Sequence, residues 1–449
     1  MKKRICLLLV AVLALVAASH SDAENLIEIL AQEATGSALE SGAESEAFVS
    51  GDYKYTLDED GNATVIRYTG EAKKVTVPGK LDDYPVTAIG PQVFSYNTTI
   101  TSVSLPKGLV SIGDYAFGAC MNLKSMTLPN SLTSIGNGAF MGCISLTDIT
   151  IPENVTEIGQ NPWANCDKLT SIKVSKKNPA FTVSNKALLR NTDQYLICYP
   201  AGIKAGTFAI PDGTAGIADN AFAYCEHIRS VTIPDSVREV GSNPWRGCPN
   251  MSSLTLSENH PALSYANGGL VSKPDQRLVC YLPAYEAETY EIPDGILTVG
   301  NDAFYGCTKL TGVIFPDSIR SIRENAFAEC SSLDNIILPD GITTLESHTF
   351  YMCKSLTNIT LPDSLTSIGD FAFCLCSGLE TIWIPDGVAS INDAAFARCR
   401  SLITVRIPDS VTLIGQFAFF QCKKATMITG EGSYAEQYCI DNNLTHTLP

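Results

Sequence analysis

Sixteen cysteines, five histidines and a regular set of aspartates are the side chains of this 449-residue sequence with the types and spacing to do chemistry. Eleven of the cysteines, from Cys120 to Cys422, hold one fixed place in a repeating pattern. Neighbouring coils would bring their Cα atoms within disulfide reach, but side chains pointing in parallel are poorly oriented for bridging. The spacing predicts a buried column of free thiols, small and apolar, with weak hydrogen-bonding ability. Cys374 and Cys376 are one residue apart, which is not a C-x-x-C redox or zinc spacing. The histidines, His20, His227, His260, His348 and His446, stand in no pattern with a nucleophile. No G-x-S-x-G, H-E-x-x-H or phosphate-cradling loop is present, so neither an enzyme nor a cofactor is expected.

The aspartates Asp212, Asp235, Asp294, Asp317, Asp340, Asp363, Asp386 and Asp409 each follow a proline and precede Gly or Ser. That is turn chemistry. Carboxylates lined up along one edge also make calcium conceivable, though no metal is expected. Net charge is −16, which argues against a nucleic-acid binder.

The elements that carry these residues follow from a large aromatic marker. It recurs at Phe94, Phe117, Phe140, Trp163, Phe222, Trp245, Phe304, Phe327, Phe350, Phe373, Phe396 and Phe419. Nine steps are 23 residues; Trp163 to Phe222 and Trp245 to Phe304 are 59, which reads as one 36-residue insertion used twice. A fixed period in this range means a solenoid. A proline lies eleven residues before every marker but the first, and a Cys three after eleven of them. Ile149-Thr150-Ile151 alternates in, out, in, as a short half-buried strand should. Pro152 then stops it, because proline cannot extend a ladder. One coil cannot bury its own apolar side, so coils must stack.

The two ends differ from the repeat. Lys2, Lys3 and Arg4 precede an apolar run, Ile5 to Ala18, too short to span a bilayer comfortably. Residues 1–23 read as a cleaved secretory signal, with cleavage after Ala18 or Ala23; an uncleaved anchor is the alternative. No other segment has spanning length. Residues 24–50 read as a flexible linker and 51–86 as a β-rich N-terminal cap, with runs at Tyr53–Leu57, Ala63–Tyr68 and Lys74–Val77. The solenoid takes 87–429, with insertions at about 175–210 and 257–292. Each insertion contains a hairpin signal, Lys186–Arg190 with Tyr195–Tyr199 in the first and Gly269–Ser272 with Arg277–Leu282 in the second. Residues 430–449 read as a C-terminal cap with a short helix, Tyr434 to Ile440, after Ser433.

The register L-x-x-I-x-[IL]-P-x-x-[LVI]-x-x-I-G-x-x-A-F-x-x-C resembles the BspA-like type of leucine-rich repeat protein, over about Thr87 to Thr429. The resemblance implies a right-handed, mainly β solenoid with a parallel sheet on one face and turns or short 3₁₀ pieces on the other. It implies a secreted or cell-surface, non-enzymatic role in binding proteins or other cells.

Ligand choice must then lie in the exposed strand position, ten residues after each aromatic. It reads Ser104, Thr127, Thr150, Lys173, Thr232, Thr255, Ile314, Ile337, Thr360, Trp383 and Arg406. Thr is what a solvent-facing β position should hold. Ile314, Ile337 and Trp383 depart from it, and Arg406 stands out with them, because Trp and Arg are favoured at interaction hot spots. They are the candidate partner-binding face. The alternatives are scattered surface apolar residues with no role, a structural protein whose repeats self-associate, and a carbohydrate-active or hydrolytic site in the insertions.

Overall fold

The structure is a computed structural model and describes residues 47–449. The expected signal peptide 1–23 and nearly all of the expected linker 24–50 lie outside the described residues. Phe48–Ser50, at the end of that linker, is a strand antiparallel to the start of Tyr53–Leu57. The chain divides into two compact units. Among the described residues, one holds 47–204 together with Ala221–Cys225; the other holds Ala205–Asn220 and Glu226–Pro449. Each is a mainly β solenoid.

The coil from Ser111 onward shows how the sequence makes the turn of the solenoid. Ser125–Thr127 is a strand with Met126 inward and both neighbours outward, parallel to Ser102–Ser104 one coil earlier. Pro129 follows the strand, and Leu132 brings the chain back to the core at 0% exposure. A second, two-residue strand, Ser134–Ile135, pairs in parallel with Ser111–Ile112 and Glu157–Ile158. Each coil therefore carries a wide ladder and a narrow one.

Turns, not 3₁₀ helix, fill the rest of the coil, and their hydrogen bonds explain why. In the coils with phenylalanine at the aromatic place, residues two before and two after it have positive φ: Tyr115 and Ala119 flank Phe117, His348 and Met352 flank Phe350. Non-glycine residues adopt this conformation at a cost of about 1–2 kcal/mol each. The conformation turns alternate N–H groups toward the next coil. Tyr115, Phe117 and Ala119 donate to the carbonyls of Asn137, Ala139 and Met141 at 2.9, 2.8 and 2.7 Å. Backbone groups spent between coils cannot close a 3₁₀ helix within one.

The aromatics stack as parallel plates inside each unit. Phe94, Phe117, Phe140 and Trp163 lie 5.0, 5.4 and 6.4 Å apart, centroid to centroid. From Phe304 to Phe419 the spacing stays between 4.7 and 5.4 Å. This is the rise of one coil, ~4.8 Å. Burying each ring contributes roughly 1.5–3 kcal/mol.

The 59-residue steps resolve differently from the expected single insertion. Tyr199 lies 36 residues after Trp163 and 23 before Phe222; Tyr281 lies 36 after Trp245 and 23 before Phe304. Both tyrosines occupy the aromatic place, 5.5 Å from Phe222 and 5.7 Å from Phe304. Each step is thus one enlarged coil and one ordinary coil. The enlarged coil folds into three antiparallel strands where a two-stranded hairpin was expected. These are Phe181–Ser184, Ala187–Arg190 and Tyr195–Cys198 in the first, and Leu263–Ala266, Gly269–Ser272 and Arg277–Tyr281 in the second. Asn185-Lys186 and Asn267-Gly268, each with two positive φ values, close the first hairpin of each set, as two-residue type I′ turns do. In the second unit the last of these strands joins the narrow ladder, parallel to Thr298–Val299.

Each unit closes one apolar end. In the first, Ala63–Tyr68 pairs in parallel with Tyr84–Ile89, and the Tyr68 ring covers Phe94 at 5.1 Å. In the second, the helix Tyr434–Asp441 brings Tyr438 against Phe419 at 6.4 Å. Ser433 Oγ accepts the Glu436 N–H, and the Glu436 carboxylate accepts from Gly432. These bonds cap donors that the first helical turn would leave orphaned.

Candidate docking face

All four predicted residues lie on the longer strands of the second unit, spread over three short parallel sheets that follow one another along the coils. Ile314 stands beside Glu291, Ile337 beside Thr360, and Trp383 beside Arg406, whose other neighbour is Ile428. Strands Gly312–Ile314 and Asn335–Ile337 touch, as do Asn358–Thr360 and Thr381–Trp383. The face is therefore a run of consecutive rungs. Alternation along each strand sets the outward direction: Val313, Ile336, Ile382 and Val405 are buried. Ile314, Ile337 and Trp383 are 55%, 66% and 61% exposed. The other two tryptophans, Trp163 and Trp245, are buried.

Arg406 is held in position. One guanidinium nitrogen donates to Asp386 Oδ1 at 2.7 Å and another to the Ile384 carbonyl at 3.2 Å. An ion pair this exposed contributes little stability, ~0–1 kcal/mol. Its effect is to lay the planar guanidinium along the face. Sequence reasoning assigned Asp386 to a turn and missed this pairing; its place three residues past Trp383 was the available signal.

The turn aspartates are exposed, and hydroxyls do much of the local bonding: Ser257 Oγ donates to Asp235 at 2.6 Å, and Ser364 Oγ accepts from Gly341 N–H at 3.1 Å. Among the described residues no group of three or more His, Cys, Asp or Glu side chains is placed to hold a metal ion.

The cysteine column has a specific bonding role. Cys120, Cys143 and Cys166 donate from Sγ to the carbonyls of Phe94, Phe117 and Phe140 at 3.1–3.2 Å. Cys330 to Cys422 do the same to Phe304 through Phe396 at 3.0–3.1 Å. Each thiol satisfies the aromatic carbonyl of the coil before it. The fifteen described cysteines are all buried. Burial pushes the Cys120 thiol up to about 12, so it is not a nucleophile near neutrality.

A polar set that the sequence did not single out lies in the turns of the same unit. Arg246 Nε sits 2.9 Å from Asp302 Oδ1, and its guanidinium lies 4.0 Å over the Tyr305 ring. Tyr305 donates its hydroxyl proton to Glu329. Burial raises the Asp302, Glu324 and Glu329 carboxyls, and Arg246 opposes the rise in each. His348 stacks on Phe371 at 4.9 Å, and burial lowers it to about 4, so it is neutral. These groups tie neighbouring coils together. The sequence signal for them was weak, because they stand one to three residues to either side of the aromatic, where the repeat tolerates many types.

A solenoid of stacked coils with a buried aromatic column and an outward-facing strand edge on each coil defines a leucine-rich-repeat fold. The BspA type leucine rich repeat region matches residues 84–196, 197–266 and 281–389, in six copies, and the chain belongs to that family. Among solved structures it is similar to a leucine rich cell surface protein from Faecalibacterium prausnitzii A2-165, at 25% identity and TM-score 0.44, over 89% of this chain and 98% of that one. It is also similar to the pneumococcal vaccine antigen PcpA, at 18% identity and TM-score 0.47, over 90% of this chain and 99% of that one. A leucine-rich repeat protein from Bacteroides ovatus ATCC 8483 matches at 25% identity and TM-score 0.38, over 90% and 99%. No curated protein matches the chain. No helix among the described residues is long and apolar enough to cross a membrane.

Proposed function

We propose that this is an exported, non-enzymatic binding protein that docks a protein partner at a cell surface through the face formed by Ile314, Ile337, Trp383 and Arg406. Trp383 carries the reading. It is a large apolar side chain left 61% exposed on a strand whose inward neighbour is fully buried. Two exposed isoleucines stand on neighbouring strands of the same face, and the adjoining Arg406 is preset by Asp386. Aromatic and Arg side chains supply most binding energy at interfaces when they become desolvated. The four residues stand on a repeat scaffold whose core positions are occupied by the fold, so the mechanism is complementarity over a rigid surface. Membership of the repeat family supports a binding role.

The test compares the described chain with its Trp383→Ala variant against an array of extracellular-matrix and neighbouring-cell surface proteins. A partner of this face should lose at least tenfold in affinity, with the thermal melt unchanged. Equal binding by both proteins would remove the face from the reading.

A further inference from the structure

The face has an acidic border. Asp294, Asp317, Asp340, Asp363, Asp386 and Asp409 follow one another at one per coil, each three residues past the exposed strand position, and all are exposed. Among the described residues, five of the six have no side-chain hydrogen-bond or ion-pair partner, and Asp386 is taken by Arg406. Arg320 lies alongside but spends its guanidinium on the carbonyls of Asp317 and Ile319. Like charges thus stand at the coil spacing of ~4.8 Å with little compensation. The border ends at a cavity of about 310 Å³ lined in part by Arg406, Pro408, Asp409, Ile428 and Thr429. Thr429 is fully buried where earlier coils have Ile384 and Ile407, and its hydroxyl has no partner. Gly430 leaves room beside it: a Cβ there would overlap the Asp409 carboxylate.

We propose that the partner of this face is a basic, amphipathic polypeptide segment. Its apolar side chains would cover Ile314, Ile337 and Trp383, and its Lys or Arg side chains would neutralise the aspartate border. One basic side chain would seat in the end cavity, with its stem on Pro408 and Ile428 and its head at Asp409 and the Thr429 hydroxyl. Five coil steps at ~4.8 Å make ~24 Å, which an extended segment of about seven residues spans. The inference rests on the docking-face reading and adds the partner's chemistry.

The experiment uses three synthetic nine-residue peptides: Lys/Leu alternating, Gln/Leu alternating and Lys/Ser alternating. Acrylamide quenching of tryptophan fluorescence reads the face directly, because Trp383 is the exposed one of the three tryptophans. The Lys/Leu peptide should protect Trp383 and weaken about tenfold between 50 and 300 mM salt, as paired exposed charges are screened. The triple variant Asp340→Asn, Asp363→Asn, Asp409→Asn should lower its affinity at least tenfold with the melt unchanged. Equal protection by the Gln/Leu peptide keeps the docking face and overturns the basic partner. Equal protection by the Lys/Ser peptide overturns the amphipathic requirement. No protection by any of the three overturns the proposal, and a partner found on the array that needs Trp383 would still leave the docking face standing.

Discussion

At the scale of single residues, side chains that could have been chemical are used for packing. A thiol at the cysteine place fits beside the aromatic ring and still reaches a carbonyl one coil back, at 3.0–3.2 Å in most coils. His348 gives a pH-dependent signature. Its folded value is about 4 against 6.5 for the free side chain. Below pH 6.5 the unfolded chain takes up a proton that the folded chain refuses until about pH 4. The resulting loss of stability grows as pH falls through that window, to the order of 3 kcal/mol. A His348→Phe variant, matching the Phe371 place one coil on, should therefore lose less stability than the parent between pH 6.5 and 4. Urea midpoints across that range would show it, and parallel profiles would refute it. The sequence placed the thiols correctly in the core, because their period put them beside the aromatic. It had no means of showing the carbonyl they meet, which belongs to a residue 26 positions earlier.

At the scale of elements, the enlarged coils carry most of the surprise. Asn267-Gly268 is a strong short-range hairpin signal, and it closes the turn between Leu263–Ala266 and Gly269–Ser272, the strand pair that the sequence analysis did not expect. Gly268 has φ +87°, and a Cβ there would lie 2.6 Å from the Tyr285 ring. Gly268→Ala should cost about 1–3 kcal/mol, from backbone strain and overlap together. Denaturant unfolding measures this, and an unchanged midpoint would mean that the turn relaxes freely. The corresponding turn of the first insertion, Asn185-Lys186, manages without glycine. The requirement at 268 thus comes from the tyrosines packed around it as well as from the turn type.

At the scale of the whole molecule, the fold leaves thiol chemistry closed until it unfolds. All fifteen described cysteines are buried, and burial raises most of those thiols above their ordinary value. A thiol reagent such as DTNB at pH 8 should label none of them quickly in the native protein and all of them in urea. Labelling against urea should follow the loss of far-UV signal. Fast native labelling of several column thiols would contradict the packing. The period read from the sequence accounts for this closure at eleven of the fifteen, since one rule repeated in every coil buries every copy; Cys198, Cys280, Cys374 and Cys439 lie off the period and are buried by their own surroundings.

The sequence alone determined the repeat, the inward and outward positions of each strand, the proline stops and the four outlying residues of the exposed column. These are local and periodic properties: each coil sees neighbours like itself, so alternation and spacing suffice to orient the side chains. Tertiary structure decided what depends on the neighbouring coil or on an interrupted period. It divided each 59-residue step into an enlarged coil and an ordinary one, with Tyr199 and Tyr281 in the aromatic place. It turned Asp386 toward Arg406 and left Thr429 unpartnered beside Asp409. Side-chain direction and the group met one coil away are set by stacking contacts between residues more than twenty positions apart, and no local pattern records them.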